Sequence, residues 1–381
     1  MFPQFSFPVG YQKFHPNPAF NFPLNRWYSF GYARFEDMQE AGEKIKSIED
    51  WKDVMQSLAE KAFEENRLLN GTFYIRASEF FAQQDDPEKP SIYENFLDLF
   101  YNQLFKDLNL ERAKVPYLDL DTFLPAYKLH TQGKTNHDPI VIHGGFDSLI
   151  EELFSVAAYF SNLGYEVILF DGPGQGGSLR HHGLHMDYAW EKPAKAILDH
   201  FDLENVTWIG LSMGGWLCFR AAALEPRIKR VVASSVAYDY MKMSPRPVEA
   251  LTRWLYKKPK LTNKISENKM KKDPLTRWVI ENLMYISNTK SPIEAGLFLQ
   301  DFNAENLKSA SVKQDVLILT GEKDHMSPLK MHQMQIDALT NAKSITDFIF
   351  TETQHGHQHC QVGNLKLALD TISNWIAEFE I

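Results

Sequence analysis

The pentapeptide Gly210-Leu211-Ser212-Met213-Gly214 sets a serine between two glycines. An apolar run, Val206-Thr207-Trp208-Ile209, precedes it, and a helical pattern from Met213 to Leu224 follows it. A serine at a sharp strand-to-helix turn occupies a strained backbone conformation, and side chains two positions either side of it would collide. Glycine at 210 and 214 removes that collision. The turn lifts the hydroxyl above the sheet edge, and the start of the following helix aims backbone N–H groups at developing negative charge. The chemistry this permits is nucleophilic attack on a carbonyl, with Ser212 as the nucleophile.

Such a nucleophile needs a base, and the base needs a carboxylate to fix its tautomer and stabilise its charge. The carboxylate expected here is Asp324, in Leu319-Thr320-Gly321-Glu322-Lys323-Asp324, where an apolar strand ends in a loop. Glu322 and Asp171 compete with it; Asp171-Gly172-Pro173-Gly174 reads more simply as a turn. The base lies in His355-Gly356-His357-Gln358-His359-Cys360. Three histidines compete there, His355, His357 and His359, and the spacing barely separates His357 from His359. A metal site is not expected, because this histidine run has no set of carboxylate partners. The chain order Ser…Asp…His is the same for either histidine.

A loop His143-Gly144-Gly145-Phe146-Asp147 follows the short apolar run Pro139 to Ile142. Its glycines let the backbone approach a substrate, so the N–H of Gly145 or of Phe146 can join that of Met213 around an oxyanion. The spacing does not choose between the two. Ser148-Leu149-Ile150-Glu151 matches a capping box, which gives Asp147 and Ser148 a purely local reason to exist. The sharper alternative has Asp147 facing the pocket and handling a substrate proton or hydroxyl.

The elements that must carry these residues alternate. Strands are expected at 115–120, 123–129, 139–142, 167–170, 206–209, 230–233 and 315–319, with helices at 151–163, 188–201, 213–224 and 365–379. This is an α/β pattern with a mostly parallel sheet covered on both faces. Before it, residues 35–110 read as helical: Trp51, Val54, Met55, Leu58 and Ala62 form one apolar stripe, and further helices are expected at 68–81 and 93–104. Residues 1–30 are rich in proline and aromatics and read as an irregular arm. Within that arm Phe22, Arg26, Trp27 and Tyr28 could line the pocket, although packing is the commoner role of such rings. The expected division is 1–112 as a helical cap with its arm and 113–381 as the catalytic domain, with a helical lid inserted at about 236–310.

The totals suit that picture. A chain of 381 residues with 44% hydrophobic residues supports a large core. The net charge of −9 and the want of a long basic run argue against nucleic acid. Two cysteines, Cys218 and Cys360, form no CxxC motif. Neither a signal peptide nor an apolar membrane span is recognisable, so a cytoplasmic location, no membrane partner and no cofactor are expected. The partner expected is a small-molecule substrate, and a homodimer is compatible with everything above.

Several segments together carry a family resemblance: Phe20-Asn21-Phe22-Pro23-Leu24-Asn25-Arg26-Trp27, Arg76-Ala77-Ser78-Glu79-Phe80-Phe81, Gly144-Gly145-Phe146-Asp147-Ser148 with Glu151-Glu152, Phe170-Asp171-Gly172-Pro173-Gly174-Gln175-Gly176, the serine turn, and His359-Cys360-Gln361. They span nearly the whole chain. In them the chain resembles the α/β-hydrolase group that contains 2,6-dihydroxypseudooxynicotine hydrolase and the fungal heptaketide pigment hydrolases, and more distantly the fermentation-respiration switch proteins. The resemblance implies an α/β-hydrolase fold with a helical N-terminal cap over the active site. It implies that the base directly precedes a cysteine, which selects His359. It also implies cleavage of a C–C bond beside a ketone, of an ester, or of a related acyl bond, while the aromatic-rich arm would suit a small aromatic or polyketide-like substrate. An acyltransferase or an acylaminoacyl-peptidase-like exopeptidase would use the same three residues. A non-catalytic ligand receptor is the reading least compatible with an intact Ser212, Asp324 and His359.

Overall fold

The computed structural model describes residues 3–108, 110–131 and 137–379, with the side chains of residues 119 and 120 left aside. Eight strands form one sheet: β1 (Leu110–Tyr117), β2 (Asp119–Leu129), β3 (Ile140–His143), β4 (Val167–Phe170), β5 (Val206–Leu211), β6 (Ile228–Ser234), β7 (Asp315–Gly321) and β8 (Ser344–Phe350). Their spatial order is β1-β2-β4-β3-β5-β6-β7-β8. From β4 to β8 every pairing is parallel, while β2 runs antiparallel to β1 and β4. Strands β3, β4 and β5 are buried on both faces, which is why they are continuous Val/Ile/Leu-rich runs with no polar alternation. Ile140 and Ile142 face one core and Val141 the other, as the two-residue period of a strand requires.

The chain leaves β3 for β4 on one side and then crosses back to β5 on the other. Beyond the carboxyl ends of β3 and β5 the two loops diverge, and this is where open α/β sheets hold their ligands. The 143–148 loop and the Ser212 turn both emerge there.

N-terminal to the sheet lie the helices Phe35–Lys44, Ile48–Glu64, Leu68–Phe80 and Lys89–Asp98, the last extended by a wider turn through Leu104. Trp51, Met55, Leu58 and Ala62 are fully buried on the expected stripe, with Val54 partly covered at its edge. Between β6 and β7 stand Arg246–Tyr256, Pro259–Met270, Pro274–Ser287 and Pro292–Leu299. Each carries a proline in its first turn, where the missing N–H costs nothing. Among the described residues no helix is long and apolar enough to cross a membrane.

Three expectations need correction. The arm is not irregular throughout: Pro18–Ser29 is a helix, capped by the Asn17 side chain, with Pro23 inside it. The first hairpin turns at Leu118, which is exposed and has φ 66°, and not near residue 121, so β2 starts at Asp119. Ser148 caps no helix. Its hydroxyl instead accepts the Gly145 N–H at 3.1 Å, and the helix after it opens as a short 3-10 turn, Ile150–Leu153, without a side-chain cap. The sequence reading also left out β8 and the helix Lys330–Ala338.

Candidate active site

Ser212 sits between β5 and the helix Gly214–Ala222 at φ 61°, in the left-handed region that costs a non-glycine residue energy. Its N–H donates to the Ser234 carbonyl at 2.9 Å, and its own carbonyl accepts from Gly215 at 2.9 Å. The flanking glycines are obligatory on contact grounds. A Cβ at Gly210 would lie 2.0 Å from the Gly214 carbonyl oxygen, and one at Gly214 would lie 2.7 Å from that of Gly144.

The Ser212 hydroxyl lies 2.8 Å from His359 Nε2. On the other side of the ring, His359 Nδ1 is 2.8 Å from Asp324 Oδ2 and 3.0 Å from Oδ1. The Ser235 hydroxyl donates to Asp324 Oδ2 at 2.7 Å, and the Met326 and Ser327 N–H groups donate to Oδ1 at 2.8 Å each. Burial alone would raise the Asp324 carboxyl; the His359 ring, the Ser235 hydroxyl and the Ser327 N–H outweigh it and hold the acid below its ordinary range. Burial likewise disfavours the His359 imidazolium, but Asp324 reverses that and keeps the ring well above its ordinary value. The arrangement can therefore take a proton from Ser212 and hold the resulting charge.

His357 lies outside this relay. It is buried, with its ring edge-on to Tyr11, and its carbonyl accepts the Lys323 N–H. Glu322 accepts the Glu352 N–H at 2.6 Å and Asp171 accepts those of Ile150 and Gly177, so neither competitor reaches a histidine of the relay. Among the described residues no group of three His, Cys, Asp or Glu is placed to hold a metal ion.

On the opposite side of Ser212 the 143–148 loop is held by Gln175, a residue the sequence reading quoted but gave no role. Its side-chain amide donates to the Gly144 and Gly145 carbonyls at 2.8 and 3.1 Å. A trans peptide points its N–H opposite its carbonyl, so the Gly145–Phe146 peptide turns the Phe146 N–H away from Gln175. Gly145 spends its own N–H on Ser148. The two donors without a hydrogen-bond partner among the described residues are thus those of Phe146 and Met213. A Cβ at Gly145 would stand 2.7 Å from the Met213 nitrogen, so the bare α-carbon keeps that N–H accessible. His143 is structural: burial pushes its pKa down to about 4, its Nδ1 lies 3.0 Å from the Gly144 carbonyl, and its neutral ring lies against Phe170, Trp190 and Trp208.

Above Ser212 lies a mostly apolar cavity of about 680 Å³, with His359, Cys360 and Asp147 in its wall. Asp147 faces it while pairing with Arg26 at 3.2 Å. Arg26 also pairs with Glu152, which pairs in turn with Arg76; Arg76 pairs with Glu79, and Glu79 with Arg180. This chain of buried ions ties the N-terminal helices to the loop beside the site.

Two of the residues that could line the pocket take the commoner packing role instead. Trp27 is 1% exposed and packs edge-on against Phe80, and Tyr28 packs on Phe14 and Phe35; neither borders the cavity. Pro18 and Asn21 border it, and so do Ala19, Phe22, Pro23, Arg26 and Phe30. Those last five positions are i, i+3, i+4, i+7 and i+11, one helical stripe. That periodicity was present in the sequence, but Pro23 argued against a helix. Phe22 lies 4.8 Å from the His325 ring and 6.1 Å from that of His359. Sequence reasoning also missed His325 and the pair Phe80 and Trp278, whose rings meet at a tilt with centres 5.3 Å apart in the cavity wall.

Comparison with known proteins agrees with this architecture. Residues 139–355 match the model of the α/β-hydrolase fold family. The hydrolase acrC of Aspergillus aculeatus is 30% identical over 272 residues, covering 62% of either chain, so the match spans less than two thirds of that relative. The hydrolase LUC6 of a Fusarium species is 27% identical over 339 residues, 80% of each. The 20-hydroxy-prefusarin hydrolase of Gibberella moniliformis is 34% identical over 205 residues, 48% of each. Among solved structures, 2,6-dihydroxy-pseudo-oxynicotine hydrolase superposes with a TM-score of 0.67 over 94% of this chain and 95% of its own, at 18% identity. With an eight-stranded, mostly parallel sheet and a family match over more than half its length, the chain belongs to the α/β-hydrolase fold family.

Proposed function

We propose that this chain is a serine hydrolase that cleaves an acyl bond, either a C–C bond beside a ketone or an ester, in a small apolar substrate of aromatic or polyketide-like character. The observation that carries the reading is the relay Ser212–His359–Asp324, with steps of 2.8 Å, at the floor of an apolar cavity. In this reading His359 Nε2 accepts the Ser212 proton as the oxygen attacks the carbonyl carbon. The oxyanion that forms takes hydrogen bonds from the Phe146 and Met213 N–H groups. His359 then protonates the departing alkoxide or enolate carbon, and water repeats the sequence on the acyl-enzyme.

The cavity supports the substrate class. Its volume suits one small organic molecule, and Phe22, Phe30, Phe80, Phe81 and Trp278 give it an aromatic wall. A relative is named for hydrolysis of 20-hydroxy-prefusarin, and a substrate of that general kind fits such walls. Arg26, braced by Asp147 and Glu152, would hold an oxygen of the substrate.

The direct test is labelling with a fluorophosphonate probe. Covalent modification of the wild type that maps to Ser212 and disappears in Ser212→Ala is expected. A folded wild type that resists the probe would sink the proposal. The anion-binding role of the loop has its own test. Gly145→Ala puts a methyl group beside the Met213 N–H, so kcat should fall by roughly 10²- to 10³-fold with KM little changed. A KM effect alone, with kcat intact and the melting temperature preserved, would remove these donors from the reaction.

A further inference from the structure

The helices between β6 and β7 carry a surface that the chemistry above does not use. Residues 246–272 contain nine Lys or Arg and two Glu, in a chain whose net charge is −9. All seven lysines of this stretch are exposed, and none forms an ion pair among the described residues. On the same two helices Val248, Leu251, Trp254, Leu261 and Ile265 are exposed as well. The first three recur every third residue along Arg246–Tyr256, and the last two are four apart on Pro259–Met270, so each helix turns an apolar stripe outward. Lys258 Nζ lies 4.4 Å from the Trp254 ring centre, a cation set beside the indole. Large apolar side chains left in water beside unpaired lysines call for a partner that is apolar below an anionic surface.

We propose that the outer face of Arg246–Tyr256 and Pro259–Met270 docks onto an anionic lipid bilayer. The apolar stripes enter the boundary between headgroups and acyl chains, and the lysines reach the phosphates. These helices lie on the membrane and do not span it. A second copy of the chain, paired face to face through this patch, would set each cluster of lysines against its equivalent, which disfavours it as the occupant. The next helix, Pro274–Ser287, adjoins the docking face and lines the cavity with Leu275, Trp278 and the half-exposed Val279. Docking therefore brings the cavity mouth close to the bilayer, so that an apolar substrate dissolved in lipid need not cross water.

The test is co-sedimentation of the full chain with vesicles of phosphatidylcholine containing phosphatidylserine, against vesicles of phosphatidylcholine alone. Binding is expected to the anionic vesicles only and to weaken as salt rises. The combined variant K257E/K258E/K264E/K271E should lose roughly three orders of magnitude or more in partitioning, and L251S/W254S should also lose orders of magnitude. Both variants should keep the wild-type melting temperature and fluorophosphonate labelling. Absence of binding to anionic vesicles, or equal binding by the charge-reversed variant, overturns the proposal. So does a wild-type dimer in light scattering that L251S/W254S converts to monomer without any vesicle binding, since a second copy then covers the face. Vesicle binding is read without turnover, so failure here is distinct from failure of the hydrolase reading.

Discussion

Ser212→Ala is expected to lower kcat on any acyl substrate by roughly 10⁵-fold or more, about 7 kcal/mol of barrier. The loss follows from what remains. Without the hydroxyl, His359 Nε2 loses the oxygen 2.8 Å away, and no other residue of Gly210-Leu211-Ser212-Met213-Gly214 carries a hydroxyl or thiol. The Phe146 and Met213 donors would still bind a carbonyl oxygen, so a residual rate above that of water is expected, not zero. Substrate binding should be nearly unchanged, because the mostly apolar cavity wall is left in place by the substitution. The measurement is single-turnover kinetics beside a binding titration on the same variant. Retention of more than a few per cent of kcat would remove Ser212 as the nucleophile.

Asp324→Asn should cost roughly 10⁴-fold in kcat, and the local hydrogen bonds explain why an isostere is so damaging. Met326 and Ser327 both donate to Oδ1 of Asp324. An asparagine keeps those bonds only by placing its carbonyl oxygen there, which puts its NH₂ at the Oδ2 position, 2.8 Å from His359 Nδ1. That nitrogen must then accept, so the ring proton moves to Nε2, the atom that has to accept from Ser212. The substitution thus preserves shape and inverts the tautomer. It also removes the charge that holds the His359 pKa above its ordinary value of 6.5. The base works only when neutral, so wild-type kcat/KM should rise with pH through a limb displaced above that value. In Asp324→Asn the limb should move to lower pH. A wild-type acid limb below the ordinary histidine value, or a limb unmoved by the substitution, would contradict the relay. The tautomer can be read by ¹⁵N NMR of the His359 ring.

Most of the sheet was legible because buried parallel strands are short unbroken apolar runs bounded by turn residues. Ile140 to His143 and Val167 to Phe170 could hardly be anything else. β8 escaped because, as an edge strand, Ser344–Phe350 mixes polar and apolar residues and is largely exposed. The serine turn was legible because Gly210 answers to a backbone contact within the motif itself, with Gly214. Position 359 was not: the glycine before His357 and the cysteine after His359 are both local signals, and only the family resemblance favoured the second. The choice between Gly145 and Phe146 depended on where Gln175 and Ser148 send their hydrogen bonds, which involves partners 30 and 3 residues away. Trp27 and Tyr28 pack and do not line the cavity because a ring next in sequence to a pocket-facing residue lies about 100° away from it on a helix.

The ion chain from Arg26 through Glu152, Arg76 and Glu79 to Arg180 bears on how the molecule comes apart. Arg76, Glu79 and Glu152 are each about 1% exposed, and stripping a partner from a buried charge costs about 3–5 kcal/mol. Peeling the N-terminal helices from the sheet would separate Arg26 and Arg76 from Glu152, and Glu79 from Arg180, at once, so the two parts lose their ion partners together. Heating should accordingly produce a single cooperative transition across residues that a sequence reading divides in two. Glu79 gives that coupling an acid limit. Burial opposes its ionisation, but Arg180, Arg76 and Lys89 draw its pKa from 4.5 down to about 2. Its contribution is therefore complete above pH 4.5 and drains away only as pH falls towards 2. Acidity of that order, not mild acidification, would uncouple the helices from the sheet they cover.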